Sequence, residues 1–188
     1  MKNYLKVIVT ILITILISAC GKEEKVEIKK VDINKTKEIV FYDLKFELPD
    51  VYVESDYSSE DYLVYSTKDS SYDLSGCEFS AYIYETSDYE IEDYEEIDNS
   101  AEGIISNRLL EELYKTYTIN HKTINGQDWT YASAENIPVE GDEKFVTGVY
   151  VTDYNDAKYV FTYDDALFNK GTCKTLIDNV LNSLKLTK

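Results

Sequence analysis

The sequence predicts an α+β domain, an antiparallel β-sheet of about six strands with a mid-chain helix and a C-terminal helix packed on it. Three observations predict it. Short runs that alternate apolar and polar residues recur between positions 40 and 163. An Asn-Gly dipeptide separates two of these runs. The last stretch carries a clean 3.6-residue apolar period.

The elements follow in order. Val40, Tyr42, Leu44, Phe46 and Leu48 are apolar and alternate with Asp43, Lys45 and Glu47, the period of a half-buried strand, which Pro49-Asp50 ends. Asp61 to Thr67 and Cys77 to Glu85 read as two more strands, with a turn-like stretch from Lys68 to Gly76 between them. Asn99 is predicted to cap a helix with Glu102 as its capping-box partner. The apolar face of that helix would run through Ala101, Ile104, Ile105, Leu109, Leu113 and Tyr117. Thr118 to Ile124 and Gln127 to Ser133 flank Asn125-Gly126, a dipeptide that accepts positive φ at both turn positions and so favours a type I′ hairpin. Phe145 to Asp153 and Lys158 to Tyr163 form a second hairpin over Asn155-Asp156. Cys173, Leu176, Ile177, Val180, Leu181 and Leu184 define the last helix, capped by Thr172.

Ahead of the domain stands an address. Lys2 and Lys6 precede an aliphatic run from Val7 to Ile17, too short to cross a bilayer, which takes about 20 residues. The run ends in Leu16-Ile17-Ser18-Ala19-Cys20, which resembles the lipobox of bacterial lipoproteins. The resemblance implies that residues 1–19 are a signal peptide, that Cys20 receives a diacylglyceryl group and becomes the N-terminus, and that the protein is lipid-anchored on the extracytoplasmic face of the cell membrane. The Lys/Ile/Asn/Tyr-rich usage leans towards a Gram-positive surface. Residues 20–38, with six lysines, five acids and no period, read as a flexible tether. The remainder, 39–188, holds 11 basic against 31 acidic residues, a net −20, against −17 for the whole chain. Nucleic acid is excluded as a partner, because it demands clustered Lys and Arg, and Arg108 is the sole arginine.

The order of elements carries a second likeness. A strand ending in Leu48-Pro49, a mid-chain helix, the hairpin Asn125-Gly126-Gln127-Asp128-Trp129, a tyrosine-rich hairpin and a helix ending near Ser183-Leu184 together resemble the Mog1/PsbP-like α/β/α sandwich. A cystatin-like or NTF2-like sheet is the alternative. The Mog1/PsbP resemblance implies a binding or assembly role and brings no catalytic residues.

The search for chemistry leaves little. Nucleophile elbow, zinc-protease, phosphate-loop, dinucleotide and C-x-x-C motifs are all missing, and His121 is the single histidine, which rules out a multi-histidine metal site. No catalytic residue is assigned and no cofactor is expected beyond the lipid. Cys77 and Cys173 are left after lipidation. In an oxidising compartment they form either a disulfide closing a loop of about 100 residues or two buried thiols. The acidic run offers Glu90, Glu92, Asp93, Glu95 and Glu96 as calcium ligands, but it lacks the spacing and glycine of a calcium loop and also reads as a solvated approach to a helix. The 18 tyrosines, many of them in predicted strands where aromatics are favoured, read either as core and ordinary strand faces or as an exposed binding patch, for which Trp129, Tyr131 and Tyr150 are the candidates. The expectation is a non-enzymatic accessory lipoprotein with an extracytoplasmic protein partner. Capture of a small ligand or divalent cation is the alternative, and an enzyme with a site invisible in sequence comes third.

Overall fold

The computed structural model describes residues 27–84, 98–139, 143–166 and 172–187. The expected signal peptide, Cys20 and the calcium candidates Glu90, Glu92, Asp93, Glu95 and Glu96 lie outside these residues. Among the described residues no helix is long and apolar enough to cross a membrane.

The class is α+β, with more strands than six. In chain order the elements are β1 (Thr36–Phe41), β2 (Leu44–Pro49), β3 (Tyr52–Glu54), β4 (Tyr62–Thr67), β5 (Cys77–Tyr84) and α1 (Ala101–Arg108). They continue with β6 (Asn120–Ile124), β7 (Gln127–Glu135), β8 (Phe145–Tyr154), β9 (Ala157–Ala166), α2 (Thr172–Ser183) and β10 (Lys185–Leu186). Seven strands form one antiparallel sheet in the order β3-β4-β5-β9-β8-β7-β6, and β1-β2-β10 form a second, smaller one.

Both faces of the large sheet are covered, and side-chain size decides what covers them. On β8 and β9 the aromatics Tyr150, Tyr159, Phe161 and Tyr163 point to one face, where α2 and the small sheet meet them in the main core. Phe161 is its hub, with ring centroids 5.6 Å from Phe46, 5.9 Å from Phe79 and 5.6 Å from Trp129. The alternate residues Val149, Val151 and Val160, with Ala132 and Ala134 of β7, face the other way and receive Ile104, Ile105 and Leu109 of α1. On β8 and β9 strand periodicity thus sends the rings to one layer and the small aliphatics to the other, where Tyr82, Tyr84, Tyr114 and Tyr117 pack around them. Gly148 leaves room for one of the β9 rings, because a Cβ there would sit 2.1 Å from the Tyr163 ring.

Several predicted elements are redrawn. The strand expected from Val40 to Leu48 is a hairpin, since the chain reverses at Tyr42-Asp43 and Phe41 pairs with Leu44. The tether expected to run to residue 38 is in fact docked from Lys29 onward. Lys29 bridges Tyr72, Val31 is buried with its N–H donating to Asp73 Oδ1 at 2.9 Å, and β1 begins at Thr36. The first helix is capped by Ser100, whose hydroxyl accepts from Gly103 N at 3.0 Å, and not by Asn99. Glu102 therefore makes no capping box with Asn99.

That helix stops at Arg108, and the segment that was to extend it pairs with the end of β7 instead, through Lys115 N to Glu135 O and Ile137 N to Leu113 O. Leu113 is consequently exposed. The two hairpins hold as predicted. Asn125 and Gly126 have φ of 53° and 80°, and Asn155 and Asp156 have 49° and 62°, the left-handed pairs of type I′ turns.

Candidate functional site

The aromatic candidates separate into core and half-buried positions. Trp129 and Tyr150 are each only 2% exposed and belong to the main core, so neither presents a surface. The composition of an aromatic-rich strand cannot distinguish its two faces until the covering layers are known. Tyr131 is half-buried and stacks on Tyr150, with ring centroids 5.3 Å apart and planes 7° from parallel.

These rings form a cage around the protein's own lysine. Lys122 of β6 holds its Nζ 4.9 Å from the Tyr131 ring and 4.8 Å from that of Tyr150. The same Nζ donates to Asp178 Oδ1 of α2 at 3.1 Å, and Lys174 Nζ reaches Asp178 Oδ2 at 2.9 Å. The cage is a strut between sheet and helix that pairs cation–π attraction with an ion pair. Desolvation tends to raise the Asp178 carboxyl, but the bonds from Lys174 and Lys122 outweigh it and hold it below the ordinary carboxylate value. A depressed folded-state pKa gives stability that is present above the unfolded value of about 3.9 and is lost as pH falls through the folded one. Asp178→Asn is therefore expected to lower stability by about 1 kcal/mol at pH 7. The difference should vanish in urea melts near pH 2.

His121 is exposed on β6, with Nδ1 3.2 Å from Thr130 Oγ1 and Nε2 3.9 Å from Glu102 Oε1. Nothing there makes it a catalytic base. Cys77 and Cys173 are joined by a disulfide, their Cα atoms 5.5 Å apart, which ties the start of β5 to the start of α2. Among the described residues no group of three or more His, Cys, Asp or Glu side chains is placed to hold a metal. Glu78 and Asp164 are cross-strand partners lining a cleft of about 590 Å³. Partial burial raises the Glu78 carboxyl, Asp164 adds to this, and Arg108 opposes it.

A different cleft gathers the surface aromatics. It has a volume of about 640 Å³ and lies where the β1–β2 turn meets the β8–β9 turn. Its lining includes Tyr42, Asp43, Tyr84, Tyr154, Asp156 and Tyr159. Asn155 Nδ2 donates to Asp43 Oδ2 at 3.0 Å and so clips the two turns together. Rings run continuously beneath it. Tyr42 meets Phe41 at 5.2 Å, Phe41 meets Tyr159 at 6.3 Å, and Tyr159 meets Tyr154 at 6.4 Å. Tyr159 is buried as the floor, and burial raises its phenol, so the ring stays neutral at physiological pH. Tyr42 is 44% exposed and donates its hydroxyl to Asp61. None of these residues was singled out from sequence as a site.

No family model and no curated protein matches the chain. Solved structures do. The chain is similar to the solution structure of cyanobacterial PsbP (CyanoP) from Synechocystis sp. PCC 6803, with a TM-score of 0.51 and 14% identity over 81% of this chain and 92% of that one. It is also similar to a crystal structure from Bacteroides thetaiotaomicron VPI-5482, with a TM-score of 0.53 and 11% identity over 82% of this chain and 48% of that one. The chain thus spans about half the length of the Bacteroides protein. At such identities the likeness is one of fold, and the fold is PsbP-like.

Proposed function

We propose that this protein is an extracytoplasmic, lipid-anchored accessory protein that works by binding another protein and not by catalysis. The observation that carries the reading is the order at the start of the chain: Lys2 and Lys6, an eleven-residue aliphatic run, Ser18-Ala19, then Cys20. A diacylglyceryl group with a further acyl chain holds a protein durably on a membrane, at about 0.8 kcal/mol per buried methylene. The PsbP-like fold supports the binding half of the reading. So does an open cleft walled by tyrosines and carboxylates between the β1–β2 and β8–β9 turns.

The test is crosslinking and affinity capture of the full-length protein from intact cells, beside a Cys20→Ser form. The expected result is a mature N-terminus carrying the lipid mass at Cys20 and one stoichiometric partner, depleted in the Cys20→Ser form. An unmodified Cys20 with the first 19 residues still attached would overturn the anchor. The absence of a partner in both forms would overturn the accessory role.

A further inference from the structure

Tyr42 stands where the backbone least favours it. It occupies the first position of the two-residue turn between β1 and β2 with a φ of 51°. Turns that need positive φ there take glycine by default, because a side chain in the left-handed region costs about 1 kcal/mol or more. Tyrosine at this position puts a large ring, 44% exposed, at the mouth of the 640 Å³ cleft. Strain of this kind persists where something else depends on the side chain.

The rest of the lining shows what the ring would serve. Asp43, Asp153 and Asp156 bring three carboxylates, against which Lys158 is the single cation of the lining, and it is already paired with Asp153. The cleft is therefore anionic and aromatic together. That combination recognises an ammonium or guanidinium, which draws on a carboxylate and a ring face at once. The fold uses the same chemistry internally, where Lys122 lies between Tyr131, Tyr150 and Asp178. A neutral ligand would gain nothing from the net charge, and an anion would be repelled.

We propose that the cleft between the β1–β2 and β8–β9 turns receives cationic side chains, presented by an arginine- or lysine-bearing segment of a partner protein. This deepens the partner-binding reading and rests on it for the source of the cation. The turns clipped by Asn155 and Asp43 hold the carboxylates in place, and Tyr42 and Tyr154 flank the entering group over the Tyr159 floor.

The test is isothermal titration of the full-length protein in non-ionic detergent with a tetra-arginine peptide at low salt. One saturable site is expected. Tyr42→Gly and Asp156→Asn should each weaken it about three- to tenfold. Both variants suit positive φ, so both should fold, and in Tyr42→Gly relief of the turn offsets the lost contacts with Asp61 and Phe41, so its melting temperature should change little. Glu112→Gln makes the same charge change as Asp156→Asn beyond the opposite end of β8 and should shift affinity less than about twofold. Equal losses in Asp156→Asn and Glu112→Gln would reduce the binding to net charge and overturn the site. Non-saturating binding, or a tighter response to the neutral probe maltotriose, would also overturn it. Because the titration needs neither membrane nor partner, its failure leaves the anchor reading untouched, and a failed capture leaves this result standing.

Discussion

Replacing Cys77 and Cys173 together by alanine is expected to lower the melting temperature by about 10–15 °C. The bridge spans 96 residues, over half the chain. Cross-linking a loop of that length removes chain entropy from the unfolded state worth about 4–5 kcal/mol. In a domain of this size each kcal/mol moves the midpoint by about 2–4 °C. Both residues are buried, at 1% and 0% exposure, and bonded to each other, so neither should be alkylated until the protein is denatured and reduced. Calorimetry of the double variant beside the wild type reads the effect. A midpoint unchanged by the substitutions would show that apolar docking of α2 through Leu176, Ile177, Val180 and Leu181 is sufficient alone.

Trp129→Ala is expected to cost about 3–5 kcal/mol, the range for deleting a fully buried large aromatic. The indole packs edge-on to Phe161, the ring that also contacts Phe46 and Phe79, so its loss opens a cavity at the centre of the main core. Guanidinium denaturation should show an earlier midpoint. A variant that melted like the wild type yet lost partner binding would instead assign Trp129 to a surface, against its 2% exposure.

The sequence was legible where local physics acts alone. Asn125-Gly126 and Asn155-Asp156 announce their turns because few residues accept positive φ, and the last helix shows its face because six apolar residues keep one period. Legibility fails where partners distant in sequence decide. Tyr42-Asp43 carries no turn signal, since tyrosine occupies the glycine position, so the β1–β2 hairpin reads as one strand. The apolar period past Arg108 continues to Tyr117, yet that segment pairs with β7 because the backbone finds hydrogen-bond partners at Glu135 and Leu113–Ile137. Val31 docks from a segment in which charges outnumber the apolar residues Ile28, Val31 and Ile33 and no period shows, too little to mark a folded segment. β3 and β10, three and two residues long, cannot show a period at all. The tyrosine cleft was unreadable for the same reason, because Asp43 and Asn155 meet across 112 positions.

The small sheet places β2 between β1 and β10, so the second strand of the domain is completed by the last, with Leu44 opposite Leu186. Leu44, Phe46 and Leu48 of the β1–β2 hairpin are buried by elements well down the chain, Phe79 of β5, Phe161 of β9 and the apolar face of α2 among them. Closing this sheet joins segments far apart in the sequence, a pairing whose loop-closure entropy must be met before its contacts reward it. Deleting residues 185–188 should leave the edge of β2 unpaired at Leu44 and Lys45, a short open strand edge that a quality-control protease can grip.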